Sequence, residues 1–278
     1  MKNKSNQIIY SPSDLSSHSG CKHLTQLNKQ NARGEIAEPE VYTNRVLIML
    51  QEKGIEFESK HLKELKEQGK IVVEINNEDP HAEKKTIGAM KAGVDVIFQA
   101  RLKEEGKWSG WADFLKKVAR PSILGEWSYE VWDTKLANET KAGTILQIGL
   151  YSERVAQIQG ETPEYMGVIK PEGKERYRYD EHAAYIRSVK QNLEDAIANE
   201  YKTYPEPVSH CDICRWWKNC IKVRRKDDHL TFVAGMGKAQ IKEFRLNDVE
   251  TLEKLANIDF PVPFDPSKGM KETYNKLR

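Results

Sequence analysis

Three strand-like stretches in succession, enclosed by helical segments, constrain this chain more than any other feature. Val94 to Leu102, Gly110 to Val118 and Tyr129 to Leu136 are rich in β-branched, aromatic and alternating apolar residues. Lys103-Glu104-Glu105-Gly106-Lys107 separates the first two and reads as a hairpin loop. Upstream, Tyr10-Ser11-Pro12-Ser13-Asp14-Leu15 opens a helix with Ser13 as its N-cap, and Cys21 falls near the middle of that helix. Apolar residues recur at helical spacing from Val41 to Leu65, and Gly54 predicts an interruption, hence two consecutive helices. Ile71 to Ile75 is strand-like, and His81 to Lys91 is a helix that Gly93 ends. Downstream come a helix over Thr144 to Gln159, a strand around Tyr165 to Ile169 and a helix over Asp180 to Tyr201, which Pro205 and Pro207 close off. Such an order predicts the α/β class, with a mixed sheet flanked by helices.

Composition narrows the functional classes. The 44 basic and 42 acidic residues leave a net charge of +2, so nucleic-acid binding has to come from local patches. No apolar run reaches the roughly 18 residues that a membrane helix needs. Met1-Lys2-Asn3-Lys4-Ser5-Asn6 leads into no apolar signal core, and the expectation is a soluble, cytoplasmic protein with no membrane partner. Four cysteines are present, Cys21 alone and Cys211, Cys214 and Cys220 within ten positions. In a reducing compartment, clustered thiols are better explained by a metal than by disulfides. Thiolates bind iron and zinc alike, so four cysteines specify a tetrahedral or cubane site without naming the metal.

The chemistry-bearing residues lie on the strands and the helix that follows. Asp133 and Lys135 are two apart in Tyr129-Glu130-Val131-Trp132-Asp133-Thr134-Lys135-Leu136, so on a strand they share a face. Asp113 sits on the neighbouring strand in Gly110-Trp111-Ala112-Asp113-Phe114-Leu115. Two carboxylates meeting at a sheet edge can hold Mg²⁺, and a lysine beside them can orient a water and offset charge in phosphodiester hydrolysis. Taken alone, D-x-K reads first as an ion pair on a solvated face. On the next helix, Gln147 and Tyr151 are four apart and share a face.

Gly110-Trp111-Ala112-Asp113, Asp133-Thr134-Lys135 and Gln147-x-x-x-Tyr151, in this order, resemble the PD-(D/E)XK nucleases of the RecB type. One early cysteine and a late C-x₂-C-x₅-C narrow the likeness to the iron–sulfur RecB-like nucleases. That group includes the CRISPR-associated RecB-like exonuclease, the nuclease domain of the AddB helicase subunit, and RecB-like nucleases fused to further C-terminal domains. The likeness covers roughly residues 8 to 256 and includes Ser11-Pro12-Ser13-Asp14-Leu15 and Tyr204-Pro205-Glu206-Pro207. It implies a restriction-endonuclease-like core in which Asp113 and Asp133 bind Mg²⁺ or Mn²⁺, Lys135 positions the attacking water, and Gln147 and Tyr151 hold the substrate. It also implies a [4Fe–4S] cluster on Cys21, Cys211, Cys214 and Cys220 that joins the N- and C-terminal parts, with structural Zn²⁺ as the alternative. The substrate would be DNA, single-stranded or with free ends, in repair, recombination or defence. Helicase-type partners or further C-terminal domains in a longer protein would accompany it.

One departure stands out. These families usually carry a His followed by Glu in the early helix, where here Phe57 precedes Glu58. Glu58 remains as a third carboxylate, and His61 or His81 could replace the missing ligand. If none does, the chain is a DNA-binding module of the same fold with weakened or lost cleavage. A zinc-stapled α/β protein is the third reading, and it requires that Asp113 and Asp133 do not converge.

Lys218, Lys222, Arg224, Arg225 and Lys226 surround the last cysteine and suit either a solvated face or a phosphate track. Leu230 to Ala256 reads as two short helices around Gly235-Met236-Gly237, resembling a helix-hairpin-helix element whose glycine turn can present N–H groups to a phosphate. The expected organisation is a nuclease core over residues 1–228, a helical hairpin over 229–260 and a linker-like tail over 261–278.

Overall fold

The computed structural model describes residues 1–40 and 45–277, which divide into two compact units, Met1–Lys202 and Thr203–Arg278. The boundary falls ahead of the cysteine-rich segment, 26 positions before the expected 228 (228 − 202).

The first unit opens with a small hairpin of β1 (Lys2–Lys4) and β2 (Gln7–Ile9), then helices α1 (Pro12–Gly20), α2 (Lys22–Ala32) and α3 (Arg45–Glu67). Next come β3 (Val72–Glu74), α4 (Ala82–Lys91), β4 (Val96–Glu104), β5 (Trp108–Val118) and β6 (Ser128–Thr134). The unit ends with α5 (Ala142–Gln159), β7 (Tyr165–Lys170), β8 (Gly173–Arg178) and α6 (Tyr179–Ala198). The six strands β3 to β8 form one sheet in sequence order. β3–β4 and β6–β7 run parallel and the other pairs antiparallel, so the sheet is mixed, as expected.

Helices cover both faces. On one face Leu15, Met90, Leu146, Leu150, Val155, Ile186 and Leu193 pack over Ile97, Leu115, Tyr129, Val131 and Val168. On the other, Leu62 and Leu65 of α3 cover Val96, Phe114, Trp132 and Ile169. Close approach is built in at Gly149, where an added Cβ would lie 2.2 Å from Ile186 Cδ1, so α5 and α6 touch through the missing side chain.

Several local expectations give way to stronger physics. Ser11, not Ser13, caps α1. Its hydroxyl accepts from the Asp14 N–H while Asp14 Oδ2 accepts from the Ser11 N–H, a reciprocal capping box, and Pro12 takes the first helical position, where no N–H is needed. Cys21 is not mid-helix. It is extended (φ −159°, ψ 108°), ends α1 and caps α2, and its Sγ accepts from the Leu24 N–H at 3.4 Å. Helix α3 runs unbroken through Gly54, which meets nothing within 4 Å, and the glycine costs about 1 kcal/mol without breaking the helix. Val41, the start of that expected stretch, lies outside the described residues. Edge strand β8, Gly-Lys-Glu-Arg-Tyr-Arg, has no apolar alternation to announce it; its charged side chains are what an edge tolerates.

Beneath α3 the sheet half-buries a lysine. Lys116 Nζ lies 4.6 Å from the Trp132 ring centroid and 3.2 Å from His61 Nε2. Burial, with the charge of Lys174 adding to it, brings the Lys116 ammonium down to about 7. Burial and the neighbouring Lys116 bring His61 down to about 4. The unfolded chain therefore binds more protons at Lys116 between about 7 and its ordinary 10.5, and stability rises with pH across that window. Lys116→Met is expected to stabilise the protein near and below pH 7, with the gain fading toward pH 10. Denaturant midpoints for both proteins over this range check it; a pH-independent difference would count against a shifted lysine.

In the second unit a 3₁₀ turn (Ser209–Ile213) leads to α7 (Trp217–Lys226). A 3₁₀ turn (Leu230–Phe232), α8 (Lys238–Leu246), α9 (Leu252–Ala256) and α10 (Lys271–Asn275) follow. Only a 3₁₀ turn precedes Gly235-Met236-Gly237, so both expected hairpin helices lie after it. The Gly237 N–H donates to Gln240 Oε1 at 2.7 Å and is already taken. The tail is not a linker: Val262, Tyr274 and Leu277 are buried with Leu230, Phe244 and Leu255 in the unit's own core. Among the described residues, no helix is long and apolar enough to cross a membrane.

Candidate active site

The geometry of the site begins with a change of facing in two adjacent strands. On β4, Phe98 packs under α3 while Ala100 packs on the opposite face. On β5, Phe114 and Ala112 divide in the same way. Phe98 pairs with Phe114 and Ala100 with Ala112, so Gln99 and Asp113 stand opposite one another at the crossover. Gln99 has φ +52°, a left-handed conformation inside a strand, and this irregularity lets the pleat reverse its facing. Asp113 is held there by β6, whose Thr134 N–H and Thr134 hydroxyl each donate to Asp113 Oδ2 at 2.8 Å. Neither Gln99 nor Thr134 was expected from the sequence, because a left-handed glutamine leaves no trace in apolar periodicity.

The charge of Asp113 acts here on the two other expected carboxylates, Asp133 and Glu58. Asp133, on β6, is buried, and the Lys135 ammonium stands against its Oδ2. Burial, and then the charge of Asp113, raise the Asp133 carboxyl, while Lys135 opposes the shift. Glu58 reaches the site from α3, where Gln99 donates to its Oε1. Burial and the charge of Asp113 push Glu58 up to about 7, against the pull of Gln99 and Lys135. Raised carboxyls on separate elements have one physical cause: negative charge gathered in low dielectric without enough positive charge to balance it.

Tyr151 lies against the same charges. Burial and the fields of Asp133 and Asp113 raise its phenol, which stays protonated and donates to the Trp111 carbonyl at 2.7 Å. Gly110 makes the fit possible, since a Cβ there would lie 2.6 Å from the Tyr151 hydroxyl. The phenol therefore tethers β5 two residues before Asp113. Gln147, one helical turn earlier and half-buried, lines a cleft of about 660 Å³ together with Tyr151.

The histidines do not join the carboxylates. His61 is turned to Lys116 and Phe114, and His81 is exposed ahead of α4. Phe57 packs against the apolar cluster under α3.

A hard divalent cation fits this donor set. The excess of carboxylate charge at Asp113, Asp133 and Glu58 is what such an ion would relieve. Mg²⁺ commonly uses one or two carboxylates and keeps its remaining waters. Among the described residues, no three His, Cys, Asp or Glu side chains form a ready-made metal cage.

The cysteines are half-buried, with Cys21 in the first unit and the other three in the second. Cys211 Sγ accepts from the Val208 N–H and Cys214 Sγ from the Trp216 N–H, both at 3.4 Å. With the Cys21 bond to the Leu24 N–H, three sulfurs are supplied with backbone donors, the environment that stabilises a metal-bound thiolate. Trp216, between Cys214 and Cys220 in the sequence, is buried. Of the basic run, Lys222, Arg225 and Lys226 are exposed, but Arg224 is buried near the Phe232 ring and does not face solvent.

No protein-family model matches the chain, and no curated protein matches it.

Proposed function

We propose that the chain is a metal-dependent nuclease of the PD-(D/E)XK, RecB-like type, hydrolysing phosphodiester bonds in single-stranded DNA or at DNA ends. The observation that carries the reading is the gathering of Asp113, Asp133 and Glu58 from β5, β6 and α3 around Lys135. Asp113 and Asp133 would hold Mg²⁺ or Mn²⁺, with Glu58 as a third carboxylate. When bound, the ion supplies Lewis-acid stabilisation of the charge that builds on the phosphoryl oxygens. Lys135 orients the attacking water beside Asp133. The water oxygen bonds to phosphorus and gives up a proton to solvent, while the bond to the leaving ester oxygen breaks and that oxygen takes a proton from solvent. Gln147 positions the strand, and Tyr151 keeps β5, and so Asp113, in place. Cys21, Cys211, Cys214 and Cys220 would hold a [4Fe–4S] cluster, structural zinc being the other fit to four thiols.

Phe57 favours a second reading, a DNA-binding module of this fold without cleavage, because it removes the imidazole such families place beside the glutamate. A labelled-substrate assay separates the two. Purified protein with Mg²⁺ or Mn²⁺ is expected to cleave single-stranded DNA and to stop on chelation, with duplex DNA and RNA run alongside. Binding without cleavage in any metal would replace the nuclease reading by the second.

A further inference from the structure

The cleft that Gln147 and Tyr151 line contains a cation that the reaction as described does not use. Arg101 projects from β4 and is half-buried, with its guanidinium carbon 4.8 Å from the Trp111 ring centroid. Its Nη1 donates to the Gly110 carbonyl at 3.4 Å, a long bond that leaves most of its donors free. Among the described residues, no carboxylate lies within ion-pairing distance of Arg101. By contrast, Lys103, two residues further along β4, pairs with both Glu83 and Glu105. Half-burying a guanidinium without a counter-ion is costly, and stacking on an indole recovers only part of the cost. Arg101 and Trp111 both line the 660 Å³ cleft, as do Gln147 and Tyr151, with Asp14, Glu104 and Glu105 also on its lining. Trp111 stands two residues before Asp113 on the same strand, about 7 Å along it, a step comparable to that between successive phosphates of a nucleic-acid strand.

We infer that Arg101, held rigid on the Trp111 ring, binds the phosphate next to the scissile one, so that the cleft is the entry path of a single strand. The assignment rests on the nuclease reading and adds the route of the substrate to it. A guanidinium suits the task because its planar fork can take two phosphate oxygens at once, which a lysine cannot.

Binding without metal tests it. A fluorescein-labelled oligothymidylate is titrated in EDTA against wild-type protein, Arg101→Gln, Arg101→Lys and Lys85→Gln, with melting curves taken to establish folding. Lys85 is an exposed residue of α4 paired with Asp79, and its substitution removes the same charge away from the cleft. Arg101→Gln is expected to weaken binding roughly tenfold or more and to lower the salt slope by about 0.7. Arg101→Lys should recover part of the loss, and Lys85→Gln should match wild type. Inorganic phosphate should displace the strand no better than chloride at equal ionic strength; selective displacement would make the cleft a free-anion site and overturn the assignment. Equal affinity and salt slope for wild type and Arg101→Gln, or an equal loss in Lys85→Gln, would also overturn it. Wild-type cleavage measured on the same strand keeps the two ideas apart. Cleavage with Arg101-independent binding removes the entry path alone, whereas wild-type protein that neither binds nor cleaves removes both.

Discussion

Lys135→Ala protein is expected to lose metal-dependent cleavage by about 10²–10³-fold, the cost typical of removing one preorganised electrostatic group, while its affinity for a labelled strand stays near wild type. The basis is where the lysine ends. Its side chain keeps 34% exposure, whereas Asp133, which it contacts, keeps 3%. The ammonium therefore stands at the mouth of the site, where a water can reach it, and the carboxylate forms the floor. Removing the mouth group takes away the orientation of the nucleophile and leaves the cation ligands in place. Asp133→Asn should behave differently, losing metal affinity and cleavage together. Because Asp133 is buried against the charge of Asp113, its neutralisation should leave the metal-free protein at least as stable as wild type, a local trade of stability for function. Metal titration by calorimetry, single-turnover cleavage and thermal melts of both variants give the needed set. Full cleavage by Lys135→Ala would remove the lysine from the mechanism, and a strongly destabilised metal-free Asp133→Asn would mean that this carboxylate serves the fold.

The parts of this arrangement that were legible in the sequence are those whose signal is local and periodic. Alternating apolar residues mark β4, β5 and β6, and D-x-K on a strand puts Asp133 and Lys135 on one face whatever surrounds them. The apolar run of α5 likewise carries Gln147 and Tyr151 together. Gln99 could not be read this way. Its left-handed backbone is imposed by the pairing of β4 with β5, and without it strict alternation puts Phe114 and Ala112 on one face, where the fold separates them. Cys21 was misplaced for a related reason, since a thiol capping one helix and closing another looks like any residue in a polar helical run. The tail misled through composition: prolines and charges suggested a linker, but three apolar anchors spaced along it are enough to bury it.

Cys214→Ser is expected to abolish any iron the protein carries and to lower its melting temperature, and Cys21→Ser is the decisive companion. Cys211, Cys214 and Cys220 lie within ten positions around one turn and one short helix, so they supply three thiolates at little entropic cost. A fourth thiolate from Cys21 would close a loop of 190 positions (211 − 21), and loop closure stabilises more as the loop lengthens, though only logarithmically. Metal binding that requires the folded chain also adds its free energy to folding. If the four thiols share one centre, Cys21→Ser should bleach the brown absorbance of anaerobically purified protein and depress the melting temperature about as far as Cys214→Ser does. His210, adjacent to Cys211, is the nearest substitute ligand in the sequence, so His210→Ala is the control and should leave the absorbance intact. Full iron and unchanged melting in Cys21→Ser, with loss in His210→Ala, would restrict the centre to the second unit and leave Cys21 as the cap of α2. Zinc in place of iron in the wild-type protein would keep the thiolate assignment while changing the metal, because both ions accept four sulfurs and only iron brings the colour.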